Sequence, residues 1–167
     1  MRNERGYMMK RLIALLLSCL LVVPCAFASS VSSVDTLIYG HNLYSDLTGA
    51  EELKGTPKTT TKGETSLCYF DVNGVRVGFI LKSGKATSFY CIADEENVGE
   101  FLSQATSGLY NICGTDSLSY WYVNLFDQFL TARAGRESEL NPFIENVCMF
   151  NITKKGSEYT FLATILK

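Results

Sequence analysis

Histidine, tryptophan and proline are scarce: one His, one Trp and three Pro in 167 residues. The single histidine, His41, excludes multi-histidine metal sites and leaves at most one imidazole base. No stretch alternates Asp and Asn around a glycine in the manner of a calcium loop. G-x-S-x-G, H-E-x-x-H, G-x-G-x-x-G and the P-loop are all missing. No two cysteines stand in C-x-x-C spacing, which argues against a thioredoxin-like site and a zinc knuckle. Lys and Arg never run beyond two in a row, so the electrostatic footprint expected for nucleic acid or anionic lipid is absent. The sequence therefore points to no metal, no cofactor and no catalytic residue.

What is present begins with an export signal. Arg2, Arg5, Lys10 and Arg11 precede an apolar run from Leu12 to Leu17 that resumes from Leu20 to Val23. Ala26-Phe27-Ala28 then supplies an A-x-A cleavage site. Met1, Met8 and Met9 each offer a start, and a start at Met9 leaves residues 1–8 as an upstream extension. An uncleaved anchor is the competing reading. The apolar stretch covers only about 17 residues, interrupted by Ser18 and Pro24, and a spanning helix wants ~20. A lipid anchor at Cys19 would leave Leu20 to Phe27 on the mature chain, and Cys25 follows Pro24. Cleavage after Ala28 is the expectation, with a periplasmic or extracellular location and no stable membrane span afterwards.

Removing 28 of the 167 residues leaves 139, one domain's worth of chain. Four basic residues and one acidic residue leave with the signal, so 15 and 17 become 11 and 16, a net charge of −5. An acidic surface keeps a small exported domain soluble. Four cysteines remain: Cys68, Cys91, Cys113 and Cys148. An even number in an exported chain predicts two disulfides, with four buried thiols as the alternative.

The best-defined stretch is 65–93. Cys68, Phe70 and Val72 alternate with Tyr69 and Asp71. Asn73-Gly74 is a strong hairpin signal, because both turn positions need positive φ. Val75, Val77, Phe79 and Leu81 alternate on the return strand. A turn at Ser83-Gly84 leads into Thr87, Phe89, Cys91 and Ala93. A three-stranded antiparallel meander follows, with Val72 opposite Val75 and Cys68 opposite Phe79. An odd-length loop at Gly84 puts Phe89 and Cys91 on the same apolar face. Cys68 and Cys91 then lie two strand spacings apart, nearly 10 Å, whereas bridged Cα atoms lie within about 7 Å. That disfavours Cys68–Cys91. The first expectation is Cys91–Cys113 with Cys68–Cys148, and the second is Cys68–Cys113 with Cys91–Cys148.

Elsewhere the pattern is helical or loop-like. Residues 31–47 read as a weak helix with Val34, Leu37, Ile38, His41 and Tyr44 on one face, weakened by Gly40. Residues 48–65 read as a flexible polar loop. Asp94 is expected to cap a helix with Glu95, Glu96 and Glu100 at its start and Gly108 at its end. Leu109 to Cys113 reads as a connector or strand. A second helix is expected over 117–134, capped by Thr115 or Asp116 and stopped by Gly135. Asn141-Pro142 starts a turn. A final hairpin covers 147–153 and 158–166. The expected class is α+β: a meander plus C-terminal hairpin, with helices on one face of an antiparallel sheet. Residues 29–167 form its single domain.

Candidate site residues are few. Tyr120-Trp121-Tyr122 is the sharpest binding feature, since aromatic side chains suit a protein partner or stacking on a carbohydrate. His41 is the other candidate, against a structural role on its apolar face. Asp127 sits in an aromatic helix, where a solvent-facing carboxylate is the commoner outcome. Thr59-x-x-Lys62 resembles a nucleophile–lysine spacing by chance. Asn151-Ile152-Thr153 matches a glycosylation acceptor, but it falls in a strand behind a bacterial-looking signal.

Three functions stay open. The first is a small exported binding or interaction protein of the bacterial cell envelope, for an unknown protein or small ligand. The second is a small secreted hydrolase using His41 or carboxylates between helices and sheet. The third is a structural surface component.

Overall fold

The computed structural model describes residues 34–113, 118–136, 143–144 and 148–166. The export segment, Thr115, Asp116, Asn141 and Pro142 lie outside the described residues, as do the side chains of 118–121 and 143–144. The described chain runs α1 (Val34–Thr48), β1 (Lys58–Lys62), β2 (Thr65–Val72), β3 (Val75–Lys82), β4 (Lys85–Asp94), a 3-10 turn (Glu95–Asn97) and α2 (Val98–Cys113). It continues with α3 (Leu118–Arg133), β5 (Phe143–Ile144), β6 (Cys148–Lys155) and β7 (Glu158–Ile165). The strands form one antiparallel sheet in the order β1-β2-β3-β4-β7-β6-β5. The class is α+β, as the patterning predicts. No described helix is long and apolar enough to cross a membrane.

The meander forms in the expected register. Asn73 and Gly74 both take positive φ, 46° and 77°, and pair Val72 with Val75 and Cys68 with Phe79. These angles suit the two-residue turn whose twist matches that of the strands. The next hairpin reaches the expected facing by a different route. Its turn is also two residues, Ser83-Gly84, so Lys82 pairs with Lys85. The register then shifts between Ile80 and Leu81, where Leu81 faces Ala86 and Ile80 faces Ser88. Thr87 is the extra residue of a bulge, and its hydroxyl donates to Ile80 O at 3.2 Å. The bulge supplies the odd residue expected of the turn, so Phe79 still faces Phe89 and Val77 faces Cys91.

The C-terminal hairpin joins the meander through β4 and β7, with Cys91 opposite Phe161 and Ala93 opposite Tyr159. Side chains from β3, β4, β6 and β7 build the core beneath the helices. Phe79, Phe89, Phe101, Phe150, Tyr159 and Phe161 are each at most 1% exposed, so the largest side chains of the core are aromatic. Phe89 lies 5.4 Å from Phe79 and 6.0 Å from Phe161, centroid to centroid, in the tilted and edge contacts that aromatic quadrupoles favour.

Three expectations need correction. The reading of 48–65 as loop throughout misses β1, an edge strand hydrogen-bonded along its length to β2. All five of its residues are exposed, so no apolar alternation marks it. Its β-branched threonines and flanking lysines suit a solvated, protected edge. Gly108 does not stop α2, which continues to Cys113 and absorbs the expected connector. The glycine is instead where the helix rests on the Phe89 ring, which leaves no room for a Cβ. Asp94 does not cap α2 through its side chain. Its carboxylate accepts from Ser157 Oγ at 3.2 Å, tying β4 to the β6–β7 turn.

Candidate functional site

The fold leaves a groove between its helices. Phe101, Ala105 and Leu109, all fully buried, seat α2 on the sheet. The opposite side of α2 presents Leu102, Ser103, Thr106 and Tyr110. α3 seats Leu125, Phe129 and Ala132 inward, with Phe129 5.4 Å from Tyr159. Leu47 and Thr48 at the end of α1, the outer side of α2, and Tyr122, Leu125 and Phe126 of α3 together line a groove of about 360 Å³. Its floor carries hydroxyls: Thr106 Oγ1 donates to Leu102 O at 2.6 Å, and Thr48 Oγ1 and Ser107 Oγ share a hydrogen bond of 2.5 Å. Tyr44 stacks on Tyr110 at 5.2 Å. Burial, with Tyr122 and Tyr44 nearby, raises the Tyr110 phenol above its usual range.

The helices that flank the groove, α1 and α3, carry exposed apolar stripes, which contribute Leu47, Tyr122 and Phe126 to its lining. On α1, Tyr39, Leu43 and Leu47 recur every fourth residue and are 51–69% exposed. On α3, Tyr122, Val123, Phe126 and Leu130 are 46–66% exposed. An apolar stripe at helical spacing normally faces a core. Here each helix carries such residues on its solvent side as well as on its buried side. Sequence reasoning missed this pattern on α1 because one face of that helix already accounted for the core. On α3 the wide apolar arc reads as burial on more than one side, whereas part of the arc faces water.

Of the residues expected to form a site, Tyr122 and His41 have described side chains, and they lie in different places. Tyr122 is half-exposed on the groove wall. Tyr120 and Trp121 belong to α3, and their side chains lie outside the described residues. His41 is fully buried between α1, α2 and the sheet, its ring 5.8 Å from that of Phe89. Burial pushes its imidazole down to about 4, against smaller upward pulls from Asn42, Gln104 and Glu100. The version of the hydrolase reading that uses His41 requires an open cleft around it, and an imidazole buried in the core does not meet that need. Asp127 faces solvent.

Much of the remaining chemistry is structural. Asn42 clamps the loop after α1: its Nδ2 donates to Leu53 O at 2.9 Å, and Leu53 N donates to its Oδ1 at 2.8 Å. Gln104 Nε2 donates to Glu51 O and to Glu100 Oε1, and Glu51 N also donates to Glu100. Glu95 pairs with Lys154 at 3.0 Å. On the other face of the sheet, Asp71 binds Lys58 and Arg76, and Arg76 lies 4.7 Å above the Tyr69 ring. The Lys58 hydrogen bond is the main reason the Asp71 carboxyl sits below its usual range. These charges staple the β1 edge to its neighbours. No cluster of three or more His, Cys, Asp or Glu suited to a metal occurs among the described residues.

The cysteines also depart from expectation. No disulfide joins Cys68, Cys91, Cys113 and Cys148. Cys68 and Cys91 lie on β2 and β4 with β3 between them, as the meander geometry requires. Neither expected connectivity is approached, because Cys113 Sγ lies 3.5 Å from Cys148 Sγ, a pairing that both omit. The connector expected over Leu109 to Cys113 does not form. The helix instead runs on past Gly108 and delivers Cys113 to the start of β6.

The fold and groove define the class of protein: an α+β domain whose helical layer keeps an open apolar groove. No protein-family model matches the chain, and no curated protein or solved structure shows detectable similarity to it.

Proposed function

We propose that this chain is a small exported binding protein of the bacterial cell envelope. In this reading it takes an apolar helical segment of a partner protein into the groove between α1, α2 and α3. The observation that carries the reading is the pair of exposed apolar stripes on α1 and α3, from which Leu47, Tyr122 and Phe126 line the groove. Each runs about eight residues along its helix, or roughly 12 Å at 1.5 Å per residue. That length matches two to three turns of an amphipathic helix, which reads a groove through anchors spaced three and four apart. A small ligand would occupy the 360 Å³ groove and leave most of both stripes in water. Exposed apolar residues of this extent are a typical mark of an interaction surface.

Export rests on the charged, apolar and A-x-A segments of residues 1–28. N-terminal sequencing of protein recovered from the envelope or medium checks it, with Ser29 as the expected first residue. For the groove, tagged mature chain is compared with a Leu47→Asp/Phe126→Asp variant in capture from envelope extracts. A partner held by the first and lost by the second supports the reading. Equal capture by both, or none by either, contradicts it.

A further inference from the structure

We propose that Cys113 and Cys148 are a redox pair that closes into a disulfide, covalently looping the chain segment that contains α3. Cys113 is the last residue of α2, and Cys148 is the first of β6. Their sulfurs already touch at 3.5 Å. Bonded sulfurs lie about 2.05 Å apart, so closure asks for an approach of roughly 1.5 Å, within reach of small side-chain rotations.

The two thiols differ in access, and that sets the order of events. Cys113 is partly exposed, whereas Cys148 is fully buried. A low-molecular-weight disulfide is therefore attacked first by the Cys113 thiolate, forming a mixed disulfide and releasing one thiolate. Cys148 then gives up its proton and attacks the Cys113 sulfur, expelling the second thiolate. The two cysteines lose two electrons and two protons. The reagent disulfide gains both and leaves as two thiols.

Cys68 and Cys91 are unsuited to the same chemistry. Cys91 is fully buried, and that burial, with Glu100 nearby, raises its thiol well above the usual range. Cys68 is buried on β2 with Thr59 Oγ1 3.6 Å from its sulfur. The structure thus separates two inert thiols from two poised ones, which residue spacing alone does not do.

The bond would enclose residues 114–147, and with them the α3 wall of the groove. Oxidation would hold that wall against the start of β6. This consequence rests on the groove reading, but the thiol chemistry does not.

The test uses the mature chain equilibrated with mixtures of reduced and oxidised glutathione. The protein is then acid-quenched, unfolded and alkylated without reductant. In the oxidising mixtures, two of the four cysteines should take up alkyl groups, with the protein about 2 Da lighter before alkylation. The Cys68→Ser/Cys91→Ser variant should keep the bond and take up none. Cys113→Ser should show no intramolecular bond. Oxidation should raise the wild-type Tm by roughly 10 °C and leave that of Cys113→Ser unchanged. Uptake of four alkyl groups in the most oxidising mixture would overturn the proposal, as would a bond that survives Cys113→Ser. Failure of the capture experiment would leave each of these readings unaffected.

Discussion

Gly108 lies directly on the ring of Phe89, and this contact sets how deeply α2 sinks onto the sheet. A Cβ at 108 meets three carbons of that ring, and Phe89 is itself packed against Phe79 and Phe161 with no exposed surface. Gly108→Ala should therefore destabilise the fold by about 1–3 kcal/mol through overpacking, despite the better helix propensity of alanine. Gly99, in the first turn of the same helix, has open space where a Cβ would go. Gly99→Ala should be neutral or stabilising by up to about 1 kcal/mol. Chemical denaturation of the two variants beside wild type checks the pair.

His41 makes stability depend on pH in a defined direction. Its folded value of about 4 lies below the ordinary 6.5, so between these pH values the unfolded chain binds the extra proton. Its contribution is full above pH 6.5, falls as pH drops toward 4, and is flat below that. The total is about 3 kcal/mol at 1.36 kcal/mol per unit. Glu100 pulls the other way. The comparison with His41→Gln isolates the imidazole. Denaturation midpoints from pH 7 to 4 should fall more steeply for wild type than for the variant. Parallel curves would refute the assignment.

Asn42 holds Leu53 by both backbone groups, and Leu53 is only 2% exposed. Asn42→Ala would leave a buried N–H and C=O unpaired, at about 1–3 kcal/mol each before relaxation. The Leu53 amide should then exchange with solvent far faster, while amides at the centre of β3 keep their protection relative to the global stability. Unchanged exchange at Leu53 would mean that the clamp is incidental.

The sheet was legible because alternation and turn chemistry agree there. Val72, Asn73, Gly74 and Val75 specify a hairpin whose parity propagates to Phe79. The Thr87 bulge was not legible, since an odd turn and an even turn plus a bulge give the same facing downstream. β1 was hidden for a different reason: a strand exposed at every residue has no burial to pattern its sequence. Gly108 misled because a glycine that ends a helix and one that lets a helix approach a ring are identical in a single sequence. That misreading also displaced Cys113, and with it both expected cysteine pairings. For the site, Tyr122 was legible as an aromatic, but the groove depends on the spacing between α2 and α3. His41 was legible as lying on an inward face, and its complete burial removes it from the groove.

On the proposed reading, the groove between α1, α2 and α3 is a binding surface for a partner's apolar helix. A photoreactive residue at Phe126, 48% exposed on the α3 stripe, tests it most directly when introduced into protein expressed in its own cells. Changes there should alter stability by no more than about 0.5 kcal/mol, so the fold remains intact. One dominant crosslinked partner is expected, attached through an apolar helical segment, with loss of that product when Leu47→Asp is added across the groove. Crosslinks scattered over many proteins, or a single product indifferent to Leu47→Asp, would contradict it.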